Sequence, residues 1–249
     1  MSEEPRYPDP ATTTPERVLM IQAHPDDAEF GIGGTVAKWA AAGSEIYYCS
    51  ITSGDKGTKD PNITGEELAA LREQEQLAAA EILGVKDVIF LRYLDATLEP
   101  NLDLRRDLTR VIRQIRPTAI MCFDPTMRLS GDGYINHPDH IAAGEASLAA
   151  VFPSCRDRRT FPELLQEGLE PIEVPSVFLF APTQPDTWVD ISDHIDTKIE
   201  ALRKHATQVG EEADLEFVRE WAKGNSGLNP NPPEGAGEYS EAFRYMHIG

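Results

Sequence analysis

Two short stretches of the chain carry most of its chemistry. Residues 23–29 read AHPDDAE, directly after the apolar run Val18-Leu19-Met20-Ile21, and more than a hundred residues later comes His137-Pro138-Asp139-His140. Each stretch sets an imidazole and a carboxylate within three residues of one another, where a strand is expected to end or a helix to begin. These donors suit zinc, and they also accept other divalent ions such as Fe2+, cobalt or nickel. A catalytic zinc usually takes three protein ligands and keeps one position open for water. His24 and Asp27, on a turn stiffened by Pro25, form a short chelate, and His140 is the expected third ligand. Adjacent side chains on a turn point different ways, so Asp26 is left free to act as general base on a metal-activated water. On a helix opened by Pro138, His137 shares a face with His140 and stands near the metal without having to bind it. It is placed to stabilise an oxyanion or protonate a leaving group, with Asp139 fixing its tautomer.

Taken singly, either stretch also suits an ordinary helix start, where an Asp caps backbone N–H groups and complements the helix dipole. Together they hold three of the chain's six histidines, and the pairing favours a metal site. His194, His205 and His247 lie on amphipathic or terminal segments and read as structural. Gly31-Ile32-Gly33-Gly34 lacks GxGxxG spacing and stands among acidic residues, which argues against a pyrophosphate site.

The elements that must position these residues alternate. Apolar strands are expected at 17–23, 45–51, 87–91 and 118–123. Helices are expected at 29–42, from the cap Thr64 to about 83 before Gly84, at 102–115, and from a cap at Asn136 or His137 to about 151. Short strands built on apolar runs and interleaved with helices predict an α/β fold with a mostly parallel sheet and helices on its faces. Ligands of such sheets bind beyond the carboxyl ends of the strands, where both histidine stretches fall. Further on, strands are expected at 174–181 and 187–189, helices at 191–208 and 213–223, and a loop at 224–237. With no repeat and no clear linker, residues 17–249 read as a single domain behind an irregular, proline-rich arm at 1–16.

The chain has 249 residues, 41% of them apolar and 26% charged, with a formal net charge of −19. It has no Lys or Arg cluster to neutralise phosphates, so neither nucleic acid nor an anionic membrane is an expected partner. No apolar stretch approaches the ~20 residues of a membrane span. The first ten residues lack the basic start and apolar core of a secretory leader, so a cytoplasmic protein is expected. Cys49, Cys122 and Cys155 form no CxxC pair, and neither a disulfide nor a cysteine metal site is expected.

The order AHPDDAE, TSGDKGT at 52–58, LREQEQLAAAEILGV at 71–85 and HPDH resembles the PIG-L/LmbE-like zinc-dependent de-N-acetylases over roughly residues 17–151, and more loosely beyond. The resemblance implies a Rossmann-like three-layer fold and removal of an acetyl group from an N-acetylglucosamine-type sugar, a small-molecule substrate. By motif position it makes His24, Asp27 and His140 the zinc ligands, Asp26 the general base and His137 the oxyanion stabiliser or acid. It also matches Arg72 to an arginine that family members direct at the substrate; without the family, Arg72 reads as an exposed helix residue pairing with Glu75 or Gln76. The chain departs from short-loop members at 124–136, DPTMRLSGDGYIN, which is expected to line the mouth of the site with Tyr134 reaching in as a hydroxyl donor. An amidase acting on a larger N-acyl or thiol-conjugate amide is the second reading, and a non-catalytic Rossmann-like metabolite-binding module the third. A homo-oligomer is left open.

Overall fold

The computed structural model describes residues 9–131, 133–210 and 213–248, so the first half of the expected arm lies outside the described residues. Strand β1 (Arg17–Gln22), helix α1 (Asp27–Ala41), β2 (Glu45–Thr52), α2 (Gly65–Leu83), β3 (Asp87–Tyr93), α3 (Leu102–Ile115) and β4 (Ala119–Phe123) alternate as the pattern predicts. After them come the hairpin strands β5 (Leu129–Ser130) and β6 (Tyr134–Ile135), then α4 (Pro138–Ala149), the short α5 (Glu163–Gln166) and β7 (Ser176–Phe180). The chain ends with β8 (Thr187–Asp190), α6 (Ile195–Leu202), α7 (Ala206–Val209), α8 (Glu216–Gly227) and β9 (Ser240–His247).

Seven strands form one sheet in the order β3-β2-β1-β4-β7-β9-β8. All pairings from β3 to β7 are parallel, and β9 runs antiparallel to both its neighbours. Val18, Leu19, Met20 and Ile21 are fully buried, as a central strand covered on both faces requires. Helices α1, α2 and α6 pack on one another, as do α3 and α4. The chain steps outward from β1 to β2 and β3, then returns to place β4 on the other side of β1. This is the switch point where such sheets open a crevice.

The local signals hold the helices where the site needs them. Thr64 and Glu67 form a reciprocal capping box at the start of α2, and Gly84 closes that helix at φ 75°. His137 itself caps α4, its ring accepting the backbone N–H of Asp139, with Pro138 in the first turn. Gly144 lies so close to β4 that a Cβ there would sit 2.6 Å from the Phe123 carbonyl oxygen.

Several expectations need correction. Helix α1 starts at Asp27 rather than 29, because Asp26 is its cap. The helix expected at 191–208 is broken into a short turn at Ser192–His194, α6 and α7, since His205 turns inward to pair with Glu29. The loop expected at 224–237 begins later, after α8, and β9 follows it unforeseen. The stretch at 124–136 is not plain loop: it folds as the β5–β6 hairpin.

The Gly144 contact yields a test. Gly144→Ala must push α4 off β4 and is expected to lower stability by about 1–3 kcal/mol. Because α4 carries His137 and His140, bound metal should fall as well. Denaturant unfolding and elemental analysis check both, and wild-type values would mean the contact has slack.

Candidate metal centre

Both histidine stretches converge beyond the carboxyl ends of β1 and β4. Asp27 anchors the arrangement: its Oδ2 accepts the backbone N–H groups of His24 (2.8 Å) and Ala23 (3.1 Å). The same oxygen lies 3.6 Å from His24 Nδ1, and Oδ1 lies 3.1 Å from His140 Nε2. Three donors around one zinc at ordinary bond lengths stand about 3.4 Å apart, so these spacings fit. His24, Asp27 and His140 each offer a ligand atom within 4.8 Å of the others, and these residues could hold a divalent ion.

His24 Nε2 faces the other way, toward Asp95 Oδ1 (3.1 Å) and Asp139 Oδ2 (3.3 Å). His24, Asp95 and His137 also lie within reach of one ion. The two groupings share His24, whose Nε2 is the nitrogen nearer Asp95 and Asp139. Asp139 is itself tied down by the backbone N–H groups of Ala96 (2.7 Å) and Leu98 (3.1 Å). A carboxylate behind one ring nitrogen orients the other toward metal, and Nδ1 faces Asp27. His140 is oriented in the same manner, by Asn136 Oδ1 at 3.0 Å from its Nδ1, and the Phe123 ring stacks on it at 4.1 Å.

Asp139 departs from its expected part. Its carboxylate serves His24, and it touches His137 only through its backbone N–H, donated to Nδ1 at 3.2 Å. That bond still sets the tautomer: with Nδ1 accepting, the proton of a neutral His137 sits on Nε2. Burial and the neighbouring His24 push the His137 pKa down, so the ring is a neutral donor near pH 7.

Asp26 is separated from Asp27 by its backbone. It adopts φ 98°, ψ −24°, a left-handed conformation costing a non-glycine residue about 1–3 kcal/mol. Its N–H is donated to Gln76 Oε1 (3.1 Å), and its Oδ2 accepts from Arg72 Nη2 (3.2 Å). Burial and the adjacent Asp27 push its carboxyl up to about 7, against the pull of Arg72. That range suits a general base, although a divalent cation nearby lowers it.

Arg72 is not the exposed helix residue that its helical pattern suggested, nor does it extend into open space toward a substrate. It is 3% exposed, with its guanidinium bonded to the carbonyls of Pro25 and Gly54 and to Asp26. Tyr134, three residues before His137 of the second histidine stretch, is half-exposed on β6, with its hydroxyl 3.4 Å from Asn136 Oδ1. Sequence reasoning missed Asp95, Asn136 and Gln76. Asp95 follows β3 at its carboxyl end, and that position was the available signal.

Without a cation, the centre compensates its carboxylates with a proton. Burial works against a charged His24, but Asp139, Asp27 and Asp95 outweigh it and push the ring up to about 12. An incoming ion must displace that proton, so zinc affinity of the metal-free protein should tighten with rising pH, roughly tenfold per unit for one proton released. Calorimetric titrations at several pH values check the slope; a flat profile would show that His24 binds no proton. His140→Ala should lower the metal found by elemental analysis, and unchanged stoichiometry would remove it from the donor set.

The PIG-L family model, GlcNAc-PI de-N-acetylase, matches residues 19–151, a span that takes in both histidine stretches. A diacetylchitobiose deacetylase from Thermococcus kodakarensis is 35% identical over 197 residues, which are 79% of this chain and 72% of that protein. A probable N-acetyl-alpha-D-glucosaminyl L-malate deacetylase 2 from Bacillus anthracis is 30% identical, over 83% of this chain and 87% of its own. Among solved structures, the N,N'-diacetylchitobiose deacetylase of Pyrococcus horikoshii, crystallised with an inhibitor, superposes with a TM-score of 0.84 at 32% identity. The superposition covers 94% of this chain and 84% of that one. The chain belongs to the PIG-L family of de-N-acetylases.

Proposed function

We propose that the protein is a zinc-dependent hydrolase that removes the N-acetyl group from an N-acetylglucosamine-type sugar or glycoside. The observation that carries this reading is the division of labour between two adjacent carboxylates. Asp27 faces His24 and His140, while Asp26 is turned aside and held by Arg72 and Gln76. The deacetylases named among its relatives support the acetamide as the bond cleaved.

His24, Asp27 and His140 are the residues that would hold the ion. Bound there, zinc supplies a water of lowered pKa and polarises the amide carbonyl. Asp26 accepts the proton of the attacking water. His137 donates its Nε2–H to the carbonyl oxygen as charge develops there, a role that a neutral imidazole fills well. The proton gained by Asp26 is available to the nitrogen as the C–N bond breaks, giving acetate and a free amine. Asp95 and Asp139 keep His24 in one orientation throughout, and Tyr134 offers its hydroxyl to the sugar. Arg72 acts on the reaction through Asp26.

A cytoplasmic location accompanies this reading; no helix among the described residues is long and apolar enough to cross a membrane. Domain limits of 17–249, behind an arm at 1–16, remain part of the same proposal.

The test is a panel of N-acetylated sugars, N,N'-diacetylchitobiose among them, assayed for free amine on protein of known zinc content. Acetate release is expected, and faster cleavage of a bulky N-acyl analogue would overturn the choice of acyl group. Asp26→Asn should keep its zinc and lose turnover by roughly 100-fold or more, the scale of general-base catalysis. An inactive Asp26→Asn without zinc would reverse the parts given to Asp26 and Asp27.

A further inference from the structure

We infer that Gln76, backed by Glu29 and His205, is the positioning residue that locks Asp26 into its left-handed turn; this rests on the reading of Asp26 as the base. A strained backbone persists only where its surroundings over-determine it. The Asp26 side chain makes no capping bond to α1, so the turn is held from outside. Gln76 Oε1 takes the Asp26 N–H, and Arg72 takes the preceding carbonyl of Pro25 and the carboxylate itself.

The Gln76 amide can sit only one way. It is fully buried, and its Oε1 also accepts from Gln22 Nε2 at 2.7 Å, while its Nε2 donates to Glu29 Oε1 at 2.9 Å. Flipped, it would set an NH2 against two donors and a carbonyl against a carboxylate. Gln22 is fixed in turn, since its Oε1 accepts the N–H of Ala28. Glu29 is fixed by His205, whose Nε2 lies 3.1 Å from Oε2, both side chains being fully buried. One amide thus joins the end of β1, the start of α1 and the middle of α2, and through Glu29 it is linked to His205 at the corner between α6 and α7.

A well-packed apolar group is often no worse for stability than a buried polar network. What such a group cannot supply at position 76 is an acceptor for the Asp26 N–H. Without one, a buried donor is orphaned and the turn loses its brace. His205, which reads as structural from sequence, and Glu29 are the distant end of this brace.

The experiment is a cycle on the zinc-loaded protein, with N,N'-diacetylchitobiose as probe. Gln76→Leu should lower kcat roughly 10- to 100-fold, the scale of a misplaced reacting group, with KM within about twofold and zinc content unchanged. Combined with Asp26→Asn, Gln76→Leu should cause no further loss, because the base it positions is already gone. Amide hydrogen exchange at Asp26 should speed up at least about tenfold in Gln76→Leu. Full kcat in Gln76→Leu, an equal loss in both backgrounds, or unchanged exchange would each overturn the inference. Gln76→Met, without a strong N–H acceptor, serves if Gln76→Leu fails to fold. A fully active Asp26→Asn would sink the base reading alone, and the exchange measurement would still report on the brace.

Discussion

Two neighbouring carboxylates must face different ways, and the rest of the site depends on that constraint. An ordinary helix start would leave Asp26 and Asp27 competing for the same backbone donors. Here the left-handed turn at Asp26 lets Asp27 fold back onto the N–H groups of Ala23 and His24. That pins one Asp27 oxygen to the main chain and points the other at His140. The donor spacing is therefore set by the backbone at the end of β1 rather than by long, mobile side chains. Preorganisation of this kind means little has to be rearranged when charge develops in the reaction.

Electrostatics reinforces the same geometry. Asp27, Asp95 and Asp139 crowd around His24 in a buried space, and each is held below its usual carboxylate range although burial opposes ionisation; Asp95 falls to about 2. Three buried negative groups against one imidazolium leave an excess that a divalent cation would offset. The Asp95 and Asp139 carboxylates lie on the Nε2 side of His24, away from Asp27. They sit behind His24 and raise the electron density on the ring nitrogen that faces Asp27.

How far the chain could be read beforehand follows from which contacts are local. The donor triad was legible because His24 and Asp27 share one turn and His137 and His140 share another, and because strand ends of a parallel sheet face a common edge. The β1–α4 alternation was legible because its central strands, covered on both faces, show as apolar runs. Asp95 was not, since a single acid in the loop after β3 has no pattern of its own. The pairing of Glu29 with His205 joins residues 176 positions apart, and nothing local marks either one. Strand β9 carries Glu241 and Arg244 among its aromatics and follows a Gly- and Pro-rich loop. Its place between β7 and β8 comes from tertiary pairing, with Glu241 satisfied by Lys198 and two α1 backbone N–H groups.

The β5–β6 hairpin is tied at its two roots. The Asp124 N–H is bonded to the Phe180 carbonyl, and Asn136 is bonded to Arg128 and Met127 on the way into α4. The tight seat of Gly144 on β4 fixes the helix independently of what the hairpin does. Because Asn136 in turn orients His140, Met127 and Arg128 belong to the support of the site, whereas β5 and β6 lie exposed beyond them. The exposed hairpin strands and the donor geometry thereby stand on separate footings, so the strands can drift in sequence while the histidines stay in place.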